Sequence, residues 1–291
     1  MMDGIIVIDK KAGVTSREVD NRAKKLLDES GVGHLGTLDP FATGVLVLGV
    51  GRGTKLFPFM EDLHKTYRAV LVLGERKDTG ELSGQTLETK EVPPLSREAV
   101  RSVLAGFLGV IQQIPPQYSA KHVDGKRAYE IARQGGKVEL KPQTVHIYSI
   151  ALDDLSAGRI TFTAEVSRGT YIRTLGEDIA ACLGTVGYLE SLRRTEVGPF
   201  KCEEGVDIEA ISDKSLLSLE AASSFLPTVV VEGLQEKMAA QGGRLFLESE
   251  APLLRVLSSS HHLMGIYGRE KGGSYRCLRG FVGSTARLLK S

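Results

Sequence analysis

Residues 43–51, TGVLVLGVG, constrain the fold more than any other stretch of the chain. An extended strand sends successive side chains to opposite faces, so a Val/Leu run without polar alternation predicts a strand covered on both sides. The residues leading into it carry the opposite signal. Gly33, Gly36, Pro40 and Gly44 punctuate the segment Gly33–Leu46, which predicts an irregular loop feeding that strand. Asp39, before Pro40, sits in this loop, where Asp-Pro is ordinarily a turn pair.

Around this centre, residues 4–9 (GIIVID) predict a short buried strand. Thr15 with Glu18 three residues on forms a capping box that opens a helix with Val19, Ala23, Leu26 and Leu27 on one face, ending near Gly31. A strand is expected over 67–73, a turn-rich piece over 78–85 and a helix over 96–108. Residues 159–166 alternate Ile160, Phe162, Ala164 and Val166 on one side, a half-buried strand. A helix over about 170–183 places Ile172, Leu175 and Ile179 inward and stops at Gly184. The order is not a regular βαβ alternation, so the expected class is α+β, with a mainly antiparallel central sheet flanked by helices.

Composition changes near Ser223. The remaining residues hold short β-like runs at 228–231, 245–247, 253–257 and 263–267, which suit a small β-barrel-like appendage. The expected division is therefore 1–222 and 223–291. Arg276, Arg279, Arg287 and Lys290 make the end of the tail basic, which serves phosphate contact and a solvated surface equally well.

With 291 residues, 42% of them hydrophobic, the chain can bury one sizeable core and a smaller one. No run approaches the ~18 apolar residues of a membrane span, and the first residues lack the pattern of a signal peptide, so a cytoplasmic location is the expectation. Three scattered cysteines, Cys182, Cys202 and Cys277, encode neither a disulfide framework nor a zinc site. The net charge of +1 is silent on partners, but charge is clustered locally. Lys121, Lys126, Arg127, Arg133, Lys137 and Lys141 stand against Asp124, Glu130 and Glu139. A solvated face explains that cluster if it is taken alone.

The whole string 33–46, GHLGTLDPFATGVL, resembles the catalytic motif of the TruB family of transfer RNA pseudouridine synthases. The resemblance continues in order along residues 3–200. Residues 9–16 (DKKAGVTS), 65–68 (KTYR), 168–175 (RGTYIRTL) and 192–195 (LRRT) resemble the family's remaining motifs, and 126–130 (KRAYE) falls in an insertion, about 112–146, typical of its stand-alone bacterial members. Lys11 departs from the proline usual at its position, and Lys121-His122 replaces a more apolar pair. The tail resembles a PUA RNA-binding domain by position and size.

The resemblance implies isomerisation of a uridine in the T-arm loop of tRNA, with no cofactor, no metal and no obligatory protein partner, by a monomer. It implies that Asp39 is the catalytic carboxylate and that Arg173 pairs with it. A carboxylate among apolar walls needs such a cation to stay ionised. It further implies Tyr67 as a ring under the uracil with a share in proton removal, Tyr171 and Leu192 as pocket residues, and His34 as the group filling the space of an extruded base. Lys10 is implied at the substrate, while Lys65, Arg68, Lys121, Lys126, Arg127 and Arg133 are implied to hold RNA phosphates. The chemistry is consistent with this set: breaking the N1–C1′ bond and joining C5 to C1′ needs a carboxylate that can attack or steady a cationic sugar. Three alternatives stay open: a non-catalytic tRNA-binding or folding module, a hydrolytic N-glycosidase, and a guide-RNA-dependent relative.

Overall fold

The computed structural model describes residues 2–116 and 140–282, together with the strand backbone at 122–123 and 126–127. In chain order its strands are β1 (Gly4–Lys10), β2 (Val32–Leu35), β3 (Thr43–Val50), β4 (Lys65–Leu73), β5 (Glu75–Lys77), β6 (Thr86–Thr89), β7 (Gly109–Gln113), β8 (His122–Val123), β9 (Lys126–Arg127), β10 (Gln143–Ser156), β11 (Arg159–Val166), β12 (Gly187–Val197) and β13 (Phe200–Lys201). The main sheet runs β1-β3-β12-β4-β11-β10-β7, with β2 added to β3 and β13 to β12. Every pairing in it is antiparallel except β3 with β12, which meet in parallel at Thr43–Arg193 and Gly44–Arg194.

Strand β3 is buried along nearly its whole length because it separates two cores. Leu46, Leu48 and Val50 join the cluster beneath the helices, with Ile6, Ile8, Phe162 and Leu175. Val45 and Val47 point the other way, into a cluster with Ile5, Val7 and Phe200 that extends to Leu257, Leu263, Ile266 and Phe281 of the tail. This two-sided cover is what the unbroken apolar run requires, at about 1.5–3 kcal/mol per fully buried Val or Leu side chain.

The helix Ser16–Leu26 opens on the predicted capping box: the Thr15 side chain accepts from Glu18 N, and Glu18 Oε2 accepts from Thr15 N. It stops earlier than Gly31. Asp28 takes a left-handed φ of 48°, and Glu29 N donates to Lys24 O at 3.1 Å, a Schellman closure made with aspartate in the place usually held by glycine. The helix Ile172–Cys182 starts two residues later than expected, because the Gln113 amide holds the Tyr171 backbone extended from both sides.

Strands β10 and β12 of the main sheet, the second of which borders the site, have no counterpart among the expectations from sequence. The sequence of β12, GYLESLRRTEV, mixes charge with apolar residues in a pattern that does not announce a central strand. In the tail, β14 (Thr228–Val230), β15 (Leu245–Phe246), β16 (Leu253–Leu257), β17 (Leu263–Arg269) and β18 (Ser274–Gly280) form one curled sheet in the order β14-β16-β17-β18-β15. It has its own cluster around Leu245, Leu254, Val256, Tyr267 and Tyr275.

Candidate active site

One edge of β3 carries β1, and the other is shared. β2 pairs with residues 47–50 of β3, and β12 with residues 43–44. Residues 36–42 leave the sheet between those two pairings, and Asp39 lies at their middle.

The loop is held at almost every residue. Arg194 Nη2 donates to Gly36 O at 2.8 Å and its Nε to Val45 O at 2.8 Å, so one guanidinium ties both ends together. Ser16 Oγ accepts from Leu38 N at 2.9 Å and donates to Leu38 O at 3.1 Å. Pro40 O accepts from Gly13 N at 2.8 Å and from Lys10 Nζ at 3.2 Å. Gly44, with φ +99°, lets the Arg194 backbone approach to where a Cβ would lie only 2.1 Å from its carbonyl oxygen.

Asp39 itself meets Arg173 through two contacts, Nε to Oδ2 at 2.9 Å and Nη2 to Oδ1 at 3.2 Å, while Arg173 Nη1 donates to Thr79 O at 2.8 Å. The arginine side chain is 6% exposed and the aspartate side chain 37%. The cation is thus walled in and the carboxylate faces outward. A bidentate guanidinium fixes the carboxylate plane as well as its charge. Four residues along the same helix, burial and the neighbouring Asp178 push Glu177 up to about 7, against the opposing pull of Arg173 and Arg76.

Asp39 and Arg173 open onto a cleft of about 1350 Å³. Leu38, Pro40, Phe41 and Leu192 make its apolar side, and Thr79 and Glu81 border it beyond Arg173. A cleft of this size with few converging polar groups is the usual form of a binding site. Nothing in the donor set suggests a metal: no cluster of three or more His, Cys, Asp or Glu suited to one occurs among the described residues.

The expected site residues divide into four groups. Asp39, Arg173, His34, Leu192 and Arg68 line the cleft. His34 lies on β2 rather than in the loop, with Nδ1 2.7 Å from Asp20 Oδ2 and Nε2 3.1 Å from Thr37 Oγ1. Arg68 is exposed, its Nε 3.5 Å from an Asp153 carboxylate oxygen. Tyr67 and Tyr171, both half-buried, are not among the lining residues. The Tyr67 hydroxyl accepts from Arg194 Nη1 at 3.4 Å, and Tyr171 caps the helix that carries Arg173.

Lys10 and Lys65 require a correction. Both were expected at the RNA, yet they are 1% and 8% exposed. Lys10 Nζ donates to the carbonyls of Lys11, Val14 and Pro40, and Lys65 Nζ to Glu61 O at 2.7 Å. Burial above all, with the Arg194 charge acting in the same direction, brings each down to about 8, against the opposing pull of Asp39 on Lys10. They brace backbone instead of meeting phosphate. Lys121 and Arg133 lie outside the described residues, as do the side chains of Lys126 and Arg127. The departing Lys11 is exposed and ion-pairs with Asp207.

Arg194 is the residue that sequence reasoning passed over. It is 1% exposed and among the largest fully buried side chains. Period-two alternation along a strand puts it on the same face as Leu192, which was the available signal. Arg193, on the other face, holds Asp9 at 2.8 and 3.0 Å.

Comparison with known proteins identifies the family and the fold. The family model "TruB family pseudouridylate synthase (N terminal domain)" matches residues 24–172, and "tRNA pseudouridylate synthase B C-terminal domain" matches residues 173–232. The chain is 41% identical over 212 residues to tRNA pseudouridine synthase B of Geobacter sulfurreducens, covering 73% of this chain and 70% of that one. It is 37% identical over 286 residues to the Burkholderia mallei protein of the same name, covering 93% and 94%. Among solved structures, an H/ACA RNP bound to a substrate RNA containing 2′-deoxyuridine superposes with TM-score 0.72 at 22% identity, over 96% of this chain and 85% of that one. A Cbf5-Nop10-Gar1 complex gives 0.72 at 23% identity, over 96% and 84%. At those identities the structures establish a shared pseudouridine synthase fold. The sequence relatives and family models go further: the chain belongs to the TruB family of pseudouridylate synthases.

Proposed function

We propose that this protein isomerises a uridine in the T-arm loop of transfer RNA to pseudouridine, with Asp39 as its catalytic carboxylate. Family membership supports the enzyme class, tRNA pseudouridine synthase, and the observation that carries the residue assignment is the Asp39–Arg173 pair at the mouth of the cleft. The reaction breaks the N1–C1′ bond, turns the uracil and joins C5 to C1′. The proton lost from C5 is matched by one gained at N1, so substrate and product have the same mass.

In this reading Arg173 holds the Asp39 carboxylate oriented for attack or for steadying the sugar as the bond breaks. Its contact to Thr79 O fixes the guanidinium independently of substrate. Leu38, Phe41 and Leu192 exclude water from the reacting bond. Tyr67, tied to the same loop through Arg194, is the ring proposed to receive the uracil. His34, oriented by Asp20, takes the place vacated by the extruded nucleotide, whose unstacking costs a few kcal/mol. We assign the curled C-terminal sheet and the insertion at about 112–146 to RNA binding. No described helix is long and apolar enough to cross a membrane, and a cytoplasmic monomer fits the reading.

The test is incubation of the purified protein with an unmodified T-arm stem-loop and mapping of pseudouridine along the strand. Pseudouridine at one loop uridine, at unchanged RNA mass and without added guide RNA, is expected. Release of free uracil would instead mark an N-glycosidase, and binding without any modified uridine would mark a non-catalytic RNA-binding module.

A further inference from the structure

The face that the helix Ser16–Leu26 turns to the cleft carries charge that the site described so far does not use. Arg17, Asn21 and Lys24 recur at i, i+4 and i+7, which puts them on one side of the helix, and all three line the cleft that holds Asp39. Neither Arg17 nor Lys24 has a carboxylate within ion-pairing distance among the described residues. Arg22, on another side of the same helix, pairs with Glu209 at 2.6 Å, and Lys11, just ahead of the helix, pairs with Asp207. Lys25, which is not among the cleft-lining residues, has no ion pair among the described residues either, so what sets Arg17 and Lys24 apart is that they join an unpaired charge to a place in the cleft wall.

Helix stability does not account for Arg17. It occupies the second position after the Thr15 cap, in the first turn, where the helix dipole disfavours a cation and favours the acid found next to it, Glu18. Lys10 and Lys65, the lysines first expected at the RNA, are turned inward. Arg68, Arg173 and Arg193 also line the cleft, but each faces a carboxylate, of Asp153, Asp39 and Asp9, so the helix supplies the cleft's cations without an ion pair among the described residues.

We infer that the cleft-facing side of the helix Ser16–Leu26 is a rail for the RNA backbone, with Arg17 and Lys24 each holding a phosphate beside the extruded nucleotide and Asn21 between them bonding a sugar hydroxyl or phosphate oxygen. The inference rests on the tRNA reading above. A rise of 1.5 Å per residue separates Arg17 from Lys24 by about 10 Å along the axis, a span over which one strand offers more than one phosphate. These contacts read no base, so they set the placement of the strand and leave its sequence to other groups.

The experiment compares wild type with Arg17→Gln/Lys24→Gln, and with Arg22→Gln as a control on the same helix, using an unmodified T-arm stem-loop. Affinity is measured against salt concentration, with saturating single-turnover rate and melting temperature alongside. Two lost phosphate contacts are expected to reduce the log–log salt slope by about 1.4–1.8, with a single-turnover rate at saturating RNA within threefold of wild type and an unchanged or higher melting temperature. Arg22→Gln should keep the wild-type slope. An unchanged slope in the double variant, or an equal loss in Arg22→Gln, overturns the rail. A fall in saturating rate as large as the fall in affinity also overturns it, by assigning these residues to the chemistry. Failure of wild type to form pseudouridine in this stem-loop would instead count against the reading on which the rail rests.

Discussion

Replacing Arg173 by methionine isolates the ion pair on which the proposed chemistry depends. Methionine keeps an unbranched apolar stem in a place that is 6% exposed, and removes both contacts to Asp39 and the one to Thr79 O. Removing one partner of a buried pair costs about 3–5 kcal/mol. The Asp39 side chain is 37% exposed, so water replaces part of what the guanidinium supplied, and a loss of about 2–3 kcal/mol in transition-state stabilisation is the better figure. At 1.36 kcal/mol per tenfold in rate, that is about 30–150-fold. Lysine at the same position restores one point charge without the planar fork, and should fall between the two. The assay is single-turnover pseudouridine formation with saturating stem-loop, next to the dissociation constant. A methionine variant within threefold of the wild-type rate would refute the reasoning. So would one whose loss is confined to affinity.

Three further substitutions probe the surroundings. Glu177 is raised from 4.5 in its ordinary state to about 7 in the fold, so it contributes stability that is fully present below about pH 4.5 and lost as pH rises through about 7. Glu177→Gln should therefore match wild type near pH 5 and exceed it at pH 8 by about 2–3 kcal/mol, read as several degrees of melting temperature; an equal difference at both pH values would contradict this. Gly44→Ala forces a Cβ to 2.1 Å from Arg194 O at φ +99°, which should cost at least about 3 kcal/mol, or ~6–12 °C; an unchanged thermal melt would refute the close approach of β3 and β12. Arg194→Lys keeps the charge but cannot reach Gly36 O, Val45 O and the Tyr67 hydroxyl together, so both melting temperature and single-turnover rate should fall while RNA affinity stays within a few-fold. A variant that melts lower yet reacts at the wild-type rate would confine Arg194 to folding.

Local signals in the sequence were reliable where one residue decides the structure. Thr15 with Glu18 caps its helix as read, and the strands Arg159–Val166 and Leu253–Leu257 keep their expected bounds. The run ending in Val50 is covered on both faces, as an apolar strand must be. Where long-range contacts decide, the pattern was silent. The start of the helix bearing Arg173 depends on Gln113 from a distant strand, whereas the end of the first helix was missed for a local reason, Asp28 taking a conformation that glycine usually takes. Strand β12 escaped notice because burial of Arg194 is invisible until Gly36, Val45 and Tyr67 gather around it. Lys10 and Lys65 were misplaced for the same reason. A lysine in a motif reads as a surface cation, and only the fold reveals carbonyl oxygens waiting for its ammonium. Among the site residues, Asp39 and Arg173 were legible through family resemblance, not through spacing, since 134 residues separate them.

The most direct test of the account is a paired measurement on Asp39→Asn, in which the carboxylate is lost and the side-chain shape is kept. Stem-loop affinity within a few-fold of wild type, with no pseudouridine detectable after prolonged single-turnover incubation, is the predicted result. Pseudouridine accumulating at a rate near that of wild type would show that the bond between base and sugar is opened by some other group.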